Sequence, residues 1–263
     1  MIGALIQTRM GSTRLPGKIL KEVLGEPLLW HLCERLKFSE FIDEVIILTT
    51  KKKSDDPIVD FCKVNKLKYF RGSEYDVLDR HYQAAKKFKV DVIVRITSDC
   101  PLIDPQVTDR VIKYYLDNKG KFDYVSNCHP ATYPDGLDTE VISFDILEEA
   151  WKNAKKPYER EHVTPYIWDN PEIFRIGNVE YKKDVSMEER WTLDYEEDYQ
   201  FIKIVYKNLY EERQIFSMGD ILQLLKESPE IKKINEKYAG VNWYRKNLDD
   251  LKTIDESKTR TEK

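Results

Sequence analysis

Long apolar runs and an excess of either charge are both missing from this sequence. No apolar run approaches the ~20 residues that cross a bilayer, and the opening run, residues 2–6, has no basic segment before it and is too short for a secretory signal. With 43 Lys and Arg against 47 Asp and Glu, the net charge is −4, which argues against a basic nucleic-acid-binding surface. The sequence therefore predicts a cytoplasmic protein that has no nucleic-acid or membrane partner and holds any small anion with local cations.

Cysteine and histidine are scarce, with four of each. The cysteines form no Cys-x-x-Cys pair and are predicted to be reduced. The sequence contains no His-Glu-x-x-His motif, no Ser-His-Asp pattern and no Cys-His pair of recognisable spacing, so covalent catalysis and zinc hydrolysis have little support. His162 is the one histidine that we consider a candidate site residue.

The pattern of apolar residues predicts an α/β fold. Residues 44–49 are a predicted strand whose centre, 45–48, is an unbroken apolar run, which is typical of a parallel strand covered on both faces. Further strands are predicted at residues 2–6, 67–71, 91–96 and 122–127, separated by helical patterns. This alternation indicates a Rossmann-like, mostly parallel sheet flanked by helices, with ligands at the carboxyl ends of the strands.

The domain limits follow from where the alternation of predicted strands and helices ends. We expect one main α/β domain over residues 1–210, with an irregular elaboration at about 129–190 that rejoins the sheet at 190–193. Helices are predicted at 196–209, 217–227 and 229–238, so that residues 211–254 form a C-terminal helical part. Residues 255–263 are charged and are predicted to be disordered.

A loop rich in glycine and cations follows the first strand. Gly11 and Gly17 give its backbone freedom to turn N–H groups toward a ligand. It is not a P-loop, because five residues separate these glycines and Ile19 replaces the magnesium-binding hydroxyl. The loop is either a solvated basic turn or a polyphosphate site, and the second interpretation uses its three cations: Arg9, Arg14 and Lys18.

Asp99 comes directly after the predicted strand 91–96, at the same sheet edge as the basic loop. A carboxylate there would repel a polyphosphate unless a metal ion lay between them. Mg²⁺ suits this position because it prefers one or two carboxylates together with phosphate oxygens. The alternative is that Asp99 only caps a turn before Pro101.

The whole segment Gln7-Thr-Arg-Met-Gly-Ser-Thr-Arg-Leu-Pro-Gly-Lys18 resembles the N-terminal signature of the sugar cytidylyltransferases. It is most similar to the branch of spore-coat polysaccharide biosynthesis, whose relatives are the CMP-sialic acid and CMP-Kdo synthetases. The resemblance implies the sheet of the nucleotide-diphospho-sugar transferases with a small lid or dimerisation insertion, and a homodimer. It also implies transfer of CMP from CTP to a sugar acid, with release of pyrophosphate.

The resemblance also implies roles for individual residues. Arg14 and Lys18 would embrace the triphosphate and, with Asp99, carry the catalysis. Asp99 and Asp194 would bind Mg²⁺ or Mn²⁺, although Asp194 equally suits a helix N-cap whose capping box is completed by Glu197. The implied nucleotide-binding residues are Gln7, Arg9, Gly11, Ser12, Arg14, Lys18, Arg71, Gly72, Ser73, Asp76 and Asp79. The implied acceptor-binding residues are Tyr133, Asp135, Asp138, Glu140, Arg160 and His162.

Two other functions remain open from the sequence. A metal-dependent glycosyltransferase of similar architecture would use a nucleotide-sugar, but it typically carries an Asp-x-Asp motif that is absent around Asp99. A catalytically inactive nucleotide-binding homologue would keep the fold and lose the cations of the loop. The identity of the acceptor does not follow from the fold.

Overall fold

A seven-stranded sheet forms the centre of the computed structural model, which describes residues 1–210 and 215–260. Its strand order is β5-β4-β1-β6-β8-β7-β9. Two further strands, β2 and β3, pair as a small hairpin. The strands are β1 Ile2–Gln7, β2 Glu22–Val23, β3 Glu26–Pro27, β4 Glu44–Thr50, β5 Lys68–Gly72, β6 Val92–Thr97, β7 Tyr124–Ser126, β8 Glu140–Ser143 and β9 Ile176–Asn178.

The central strands are parallel and buried on both faces. Strand β1 lies between β4 and β6, and Ile6 pairs with Ile47 on one side and Ile96 on the other. Only β8 runs antiparallel to its neighbours, β6 and β7, among the seven strands of this sheet. Burial on both faces explains why β1 and β4 read as continuous apolar runs, and the predicted mostly parallel α/β fold is confirmed.

Helices cover both faces of the sheet. Helices α1, α2 and α4 pack on one face, and α3 and α5 pack on the other. Proline in the first turn of α2 and α4 favours helix initiation there. The helices are α1 Leu28–Leu36, α2 Asp56–Val64, α3 Val77–Phe88, α4 Pro105–Asp117, α5 Phe144–Asn153, α6 Pro157–His162, α7 Pro165–Trp168, α8 Glu196–Leu209, α9 Met218–Glu227 and α10 Pro229–Lys232.

Helices α8, α9 and α10 form a separate apolar cluster beside the sheet. This cluster includes Leu15 of the basic loop and the buried residues Trp191 and Leu193. The C-terminal helices therefore hold the basic loop and the segment before Asp194 against each other. The predicted helices at 196–209 and 217–227 are present, whereas the third is shorter: α10 ends at Lys232 and a separate 3₁₀ turn covers Glu236–Tyr238.

Three boundaries differ from the sequence prediction. The elaboration at 129–190 contributes β8 and β9 to the main sheet, whereas residues 190–193 form only the single bridge Asp135–Arg190. Residues 255–260 are not disordered: Glu256–Lys258 is a 3₁₀ turn and Thr259 is buried. Hydrogen bonds to residues 240–244 order this segment, and composition does not reveal such contacts. Residues 211–214 and 261–263 lie outside the described residues.

None of the helices within residues 1–210 and 215–260 combines the length and the hydrophobicity that a membrane span requires.

Candidate active site

A cavity of about 1080 Å³ opens at the carboxyl ends of β1 and β6. Gln7 ends β1 and Thr97 ends β6, and both line it. This position follows the general rule for α/β sheets, in which ligands bind beyond the carboxyl ends of parallel strands. Its volume suffices for a nucleotide and a second small molecule together.

Lys18 lies at the meeting point of two acidic segments. Its Nζ atom lies 2.6 Å from the Leu193 carbonyl oxygen, 3.0 Å from Asp194 Oδ1 and 3.5 Å from Asp99 Oδ2. Burial disfavours the charged amine, but the two carboxylates outweigh burial and raise the pKa of Lys18. Lys18 is therefore a charged ammonium ion at the floor of the cavity.

Arg14 completes the cationic side of this cluster. Its Nη2 atom lies 2.7 Å from Asp194 Oδ1, and its guanidinium lies 5.1 Å from the centre of the Tyr195 ring. The Arg14 side chain is 46% exposed, so it can also face a ligand in the cavity. Gly17 has a φ of +66° that permits the turn into Lys18, whereas Gly11 has no such requirement.

The backbone of Asp99 is held by two residues of the segment before Asp194. Its carbonyl oxygen accepts a hydrogen bond from the Leu193 N–H at 2.8 Å and another from the Thr192 hydroxyl at 3.2 Å. Burial opposes ionisation of Asp99, but the charge of Lys18 and the hydrogen bonds from Thr97 and Lys18 together outweigh burial and lower the pKa of this carboxyl group. The two predicted metal ligands thus converge on one cation, and both offer the oxygen donors that Mg²⁺ prefers.

Asp194 is not the N-cap of α8, contrary to one interpretation of the sequence. Instead, Asp198 accepts hydrogen bonds from the backbone N–H groups of Asp194 and Tyr195, each at 2.9 Å. Asp198 also forms a buried ion pair with Arg190. Because Asp198 satisfies the helix terminus, the Asp194 carboxylate remains available to the cavity, where it lies within ion-pair distance of Lys18, Arg14 and Arg190.

Gly136 brings the cavity wall that holds Tyr133 and Asp135 against the segment before Asp194. It has a φ of +114°, and an added Cβ would lie 2.7 Å from the Trp191 carbonyl carbon. We expect Gly136→Ala to lower the free energy of unfolding by about 2–3 kcal/mol, since both the backbone angle and this contact resist a side chain. Gly25→Ala is the matched control, because Gly25 has a φ of +85° but open space around it. Chemical denaturation would measure both, and equal losses would show that the close contact is not the cause.

Tyr133, Asp135 and Asp138, for which the resemblance implies acceptor binding, line the cavity. Burial raises the pKa of Asp135 to about 7, with Arg190 acting in the opposite direction from 3.3 Å. Burial and the neighbouring Asp135 raise the pKa of Asp138 well above its usual value. This side of the cavity is therefore rich in carboxyl groups that resist losing their protons.

Glu140 lines the cavity but has a structural role that the sequence did not indicate. Its carboxylate forms an ion pair with Arg95 and accepts hydrogen bonds from the hydroxyls of Tyr124 and Thr164. It also approaches Cys128 and His129 closely enough for three ligand atoms to meet within 4.8 Å. Since its oxygens are already occupied, we interpret this group as a hydrogen-bonded cluster that supports the cavity wall.

Arg160 and His162 also reach the cavity. Arg160 forms a two-point ion pair with Asp76, at 2.6 and 3.1 Å, which links α6 to the start of α3. The His162 ring stacks on Trp243, with the ring centres 3.7 Å apart. Both predicted residues are thus present in the wall, and each is already engaged with a neighbour.

The predicted nucleotide-binding residues divide into two groups. Gln7, Arg9, Ser12, Arg14, Lys18 and Asp76 line the cavity. Gly11, Arg71, Gly72, Ser73 and Asp79 are absent from its lining within the described residues. Arg71 is turned away because it binds the backbone carbonyls of Thr50 and Lys52 and the Asp56 carboxylate. Asp79 is similarly turned away and accepts a hydrogen bond from the Trp151 indole at 2.9 Å.

Two buried polar atoms that no sequence motif indicated are suited to contact a ligand. Thr8 Oγ1 and Arg80 Nε have no hydrogen-bond partner among the described residues, and both residues line the cavity beside Arg9. Burial and the nearby Arg9 lower the pKa of Arg80 to about 10. Buried polar groups are normally satisfied. These two atoms are therefore suited to hydrogen bonding with a bound nucleotide.

The fold and the site together define a nucleotidyltransferase: a mainly parallel sheet carries a cationic loop after its first strand and two facing carboxylates at the same edge. The model of the cytidylyltransferase family matches residues 3–234. The chain belongs to this family.

Individual relatives agree with this assignment. The chain is 34% identical over 232 residues to a spore coat polysaccharide biosynthesis protein of Bacillus subtilis, covering 86% of this chain and 94% of the relative. It is 27% identical over 186 residues to a 3-deoxy-manno-octulosonate cytidylyltransferase of Chlamydia trachomatis, covering 68% and 70%. A solved cytidylyltransferase structure from Leptospira borgpetersenii superposes with a TM-score of 0.83 at 39% identity, covering 88% of this chain and 95% of that one.

Proposed function

We propose that the protein transfers CMP from CTP to a small sugar acid and releases pyrophosphate. The observation that carries this proposal is the convergence of Arg14 and Lys18 with Asp99 and Asp194 at the floor of one large cavity. Cations that face a polyphosphate and carboxylates suited to a metal ion are the two requirements of such a transfer. Homodimerisation, which the resemblance implies, stays a prediction.

In this proposal an acceptor oxygen attacks the α-phosphorus in line with the leaving pyrophosphate. Arg14 and Lys18 bind the β- and γ-phosphates and stabilise the charge that develops on pyrophosphate as its bond to the α-phosphorus breaks. Asp99 and Asp194 would hold Mg²⁺ or Mn²⁺. The metal ion, when bound, supplies Lewis-acid polarisation of the α-phosphate and lowers the pKa of the acceptor oxygen.

The sugar-acid acceptor is supported by two relatives. The Chlamydia enzyme is named for a cytidylyl transfer to 3-deoxy-manno-octulosonate, which is a sugar acid, and the Bacillus protein is named for polysaccharide biosynthesis. The part of the cavity beyond Asp99 has room for such a molecule. Its wall holds polar groups suited to sugar hydroxyls, namely Tyr133, Asp135 and Asp138.

Thermal denaturation with nucleotides tests the first half of the proposal. With Mg²⁺ present and CTP at about a hundredfold excess over its Kd, we expect Tm to rise by about 5–10 °C, because CTP binds only the folded protein. UTP, ATP and GTP at the same concentration should give smaller shifts. Stabilisation by a nucleotide-sugar but by no triphosphate would contradict the proposal and favour a glycosyltransferase.

A further inference from the structure

The C-terminal segment, residues 239–260, forms one wall of the cavity. It lies beyond residue 234, where the match to the cytidylyltransferase family ends. Seven of its residues line the cavity: Val241, Asn242, Trp243, Tyr244, Thr253, Ile254 and Lys258. The family match therefore does not include this part of the cavity wall.

This segment is held firmly against the acceptor side. Asp169 Oδ1 accepts hydrogen bonds from the backbone N–H groups of Lys252 and Thr253, at 2.8 and 2.9 Å, and from the Thr253 hydroxyl at 3.0 Å. At the far end, the Arg260 N–H donates to the Gly240 carbonyl oxygen at 2.7 Å. The segment is thus a closed loop fastened to the residues that follow α7.

Trp243 gives the segment a flat, uncharged surface. Its ring stacks on His162 with an angle of 16° between the planes. Burial and the nearby Arg95 lower the pKa of His162 to about 3, so this imidazole is neutral at physiological pH. Neither member of the pair can supply the positive charge that an acidic acceptor needs.

The arginines on the acceptor side are already paired. Arg95 binds Glu140, Arg160 binds Asp76, and Arg190 binds Asp198. Asp135 and Asp138 line the same part of the cavity, but carboxyl groups supply no positive charge to an acceptor carboxylate. In the proposed mechanism, Arg14 and Lys18 of the basic loop bind the triphosphate and are not available to the acceptor.

Lys258 is the remaining cation of the acceptor side. No ion pair joins its ammonium group to a carboxylate within residues 1–210 and 215–260. Its backbone is fixed, because the Lys258 carbonyl oxygen accepts hydrogen bonds from the Tyr244 hydroxyl at 2.7 Å and from Asn242 Nδ2 at 3.0 Å. Hydrogen bonds from Ser257 and, to a smaller extent, the charge of Lys258 lower the pKa of the nearby Asp255, but no ion pair within 4.0 Å joins Lys258 to Asp255 in the described part of the chain. A fixed backbone and an ammonium group without a close carboxylate suit a residue that binds an anionic ligand.

We propose that the C-terminal segment completes the acceptor subsite, with Lys258 pairing with the carboxylate of the sugar acid and Trp243 forming the flat wall beside it. This inference rests on the proposed function, since it assumes an acidic acceptor. It assigns acceptor selectivity to residues that lie beyond the end of the family match at residue 234.

The test is steady-state kinetics of pyrophosphate release at saturating CTP, with 3-deoxy-manno-octulosonate and a sialic acid as the two acceptor probes. Lys258→Gln should raise the acceptor KM on the order of tenfold and leave the KM for CTP unchanged, because one partly exposed ion pair is lost. Lys258→Arg keeps the positive charge and should therefore keep the acceptor KM close to that of the wild type. Lys246→Gln is the matched control, since Lys246 is an exposed lysine of the same segment that does not line the cavity.

Trp243→Phe and Trp243→Ala provide a second measurement. The phenylalanine variant keeps a flat ring and should keep the acceptor KM, whereas the alanine variant should raise it without changing the KM for CTP. An unchanged acceptor KM in Lys258→Gln, or an equal rise in the KM for CTP, would overturn the inference while the wild-type activity upheld the proposed function. If the wild-type enzyme released pyrophosphate with neither acid, the acidic acceptor would be wrong, and this inference would fail with it.

Discussion

Asp99→Asn should lower kcat/KM for pyrophosphate release on the order of a thousandfold. The substitution keeps the shape of the side chain but removes the negative charge that faces Lys18 at 3.5 Å. In the proposed mechanism this charge holds the metal ion beside the α-phosphate, and a neutral amide is a much weaker ligand for Mg²⁺. The loss should therefore appear mainly in kcat, and raising the Mg²⁺ concentration should recover part of the rate.

Two controls separate this effect from damage to the fold. Asp60→Asn makes the same chemical change on the exposed face of α2, where Asp60 contacts only Lys63 within the part of the chain that the structure describes, and it should leave the rate unchanged. The Tm of Asp99→Asn without nucleotide reports on stability alone. A folded Asp99→Asn protein with wild-type kcat/KM would show that Asp99 takes no part in metal binding.

The sequence was sufficient for the central sheet because the information there is local. Strand β4 reads as an unbroken apolar run since both of its faces are covered, and the loop after β1 carries its cations within twelve residues. The same loop placed Arg14 and Lys18 correctly beside the cavity. Strand ends that share one sheet edge also placed Asp99 there, without any knowledge of contacts.

Contacts between residues that are far apart in the chain could not be predicted from the sequence. Arg71 was predicted to bind the nucleotide, but its guanidinium joins β5 to the loop after β4. Asp194 suited a helix N-cap as well as the predicted metal site, and only the position of Asp198 shows that Asp194 does not cap α8. The tail, residues 255–263, was predicted to be disordered from its composition, whereas hydrogen bonds of Lys258, Thr259 and Arg260 to residues 240–244 order its described part, 255–260.

Lys18→Ala should lower kcat/KM by about 10- to 100-fold, because a charge-assisted contact to the leaving pyrophosphate is worth roughly 1.5–3 kcal/mol. Lys21→Ala is the matched control. Lys21 lies in the same part of the chain, but its amine binds Glu196 and it does not line the cavity. A correctly folded Lys18→Ala protein with an unchanged rate would contradict the proposed phosphate contact.

Lys18→Ala should also change the stabilisation of the protein by a divalent metal ion, which can be measured without substrate. Lys18 is the ammonium ion on which Asp99 and Asp194 converge, and its side chain is only 12% exposed. Removing it leaves two carboxylates facing each other with less positive charge between them, which favours a divalent cation. Mg²⁺ or Mn²⁺ alone should therefore raise the Tm of Lys18→Ala by more than it raises the Tm of the wild type. Equal shifts would mean that the metal ion does not bind between these two carboxylates, even if Lys18 proves essential for the rate.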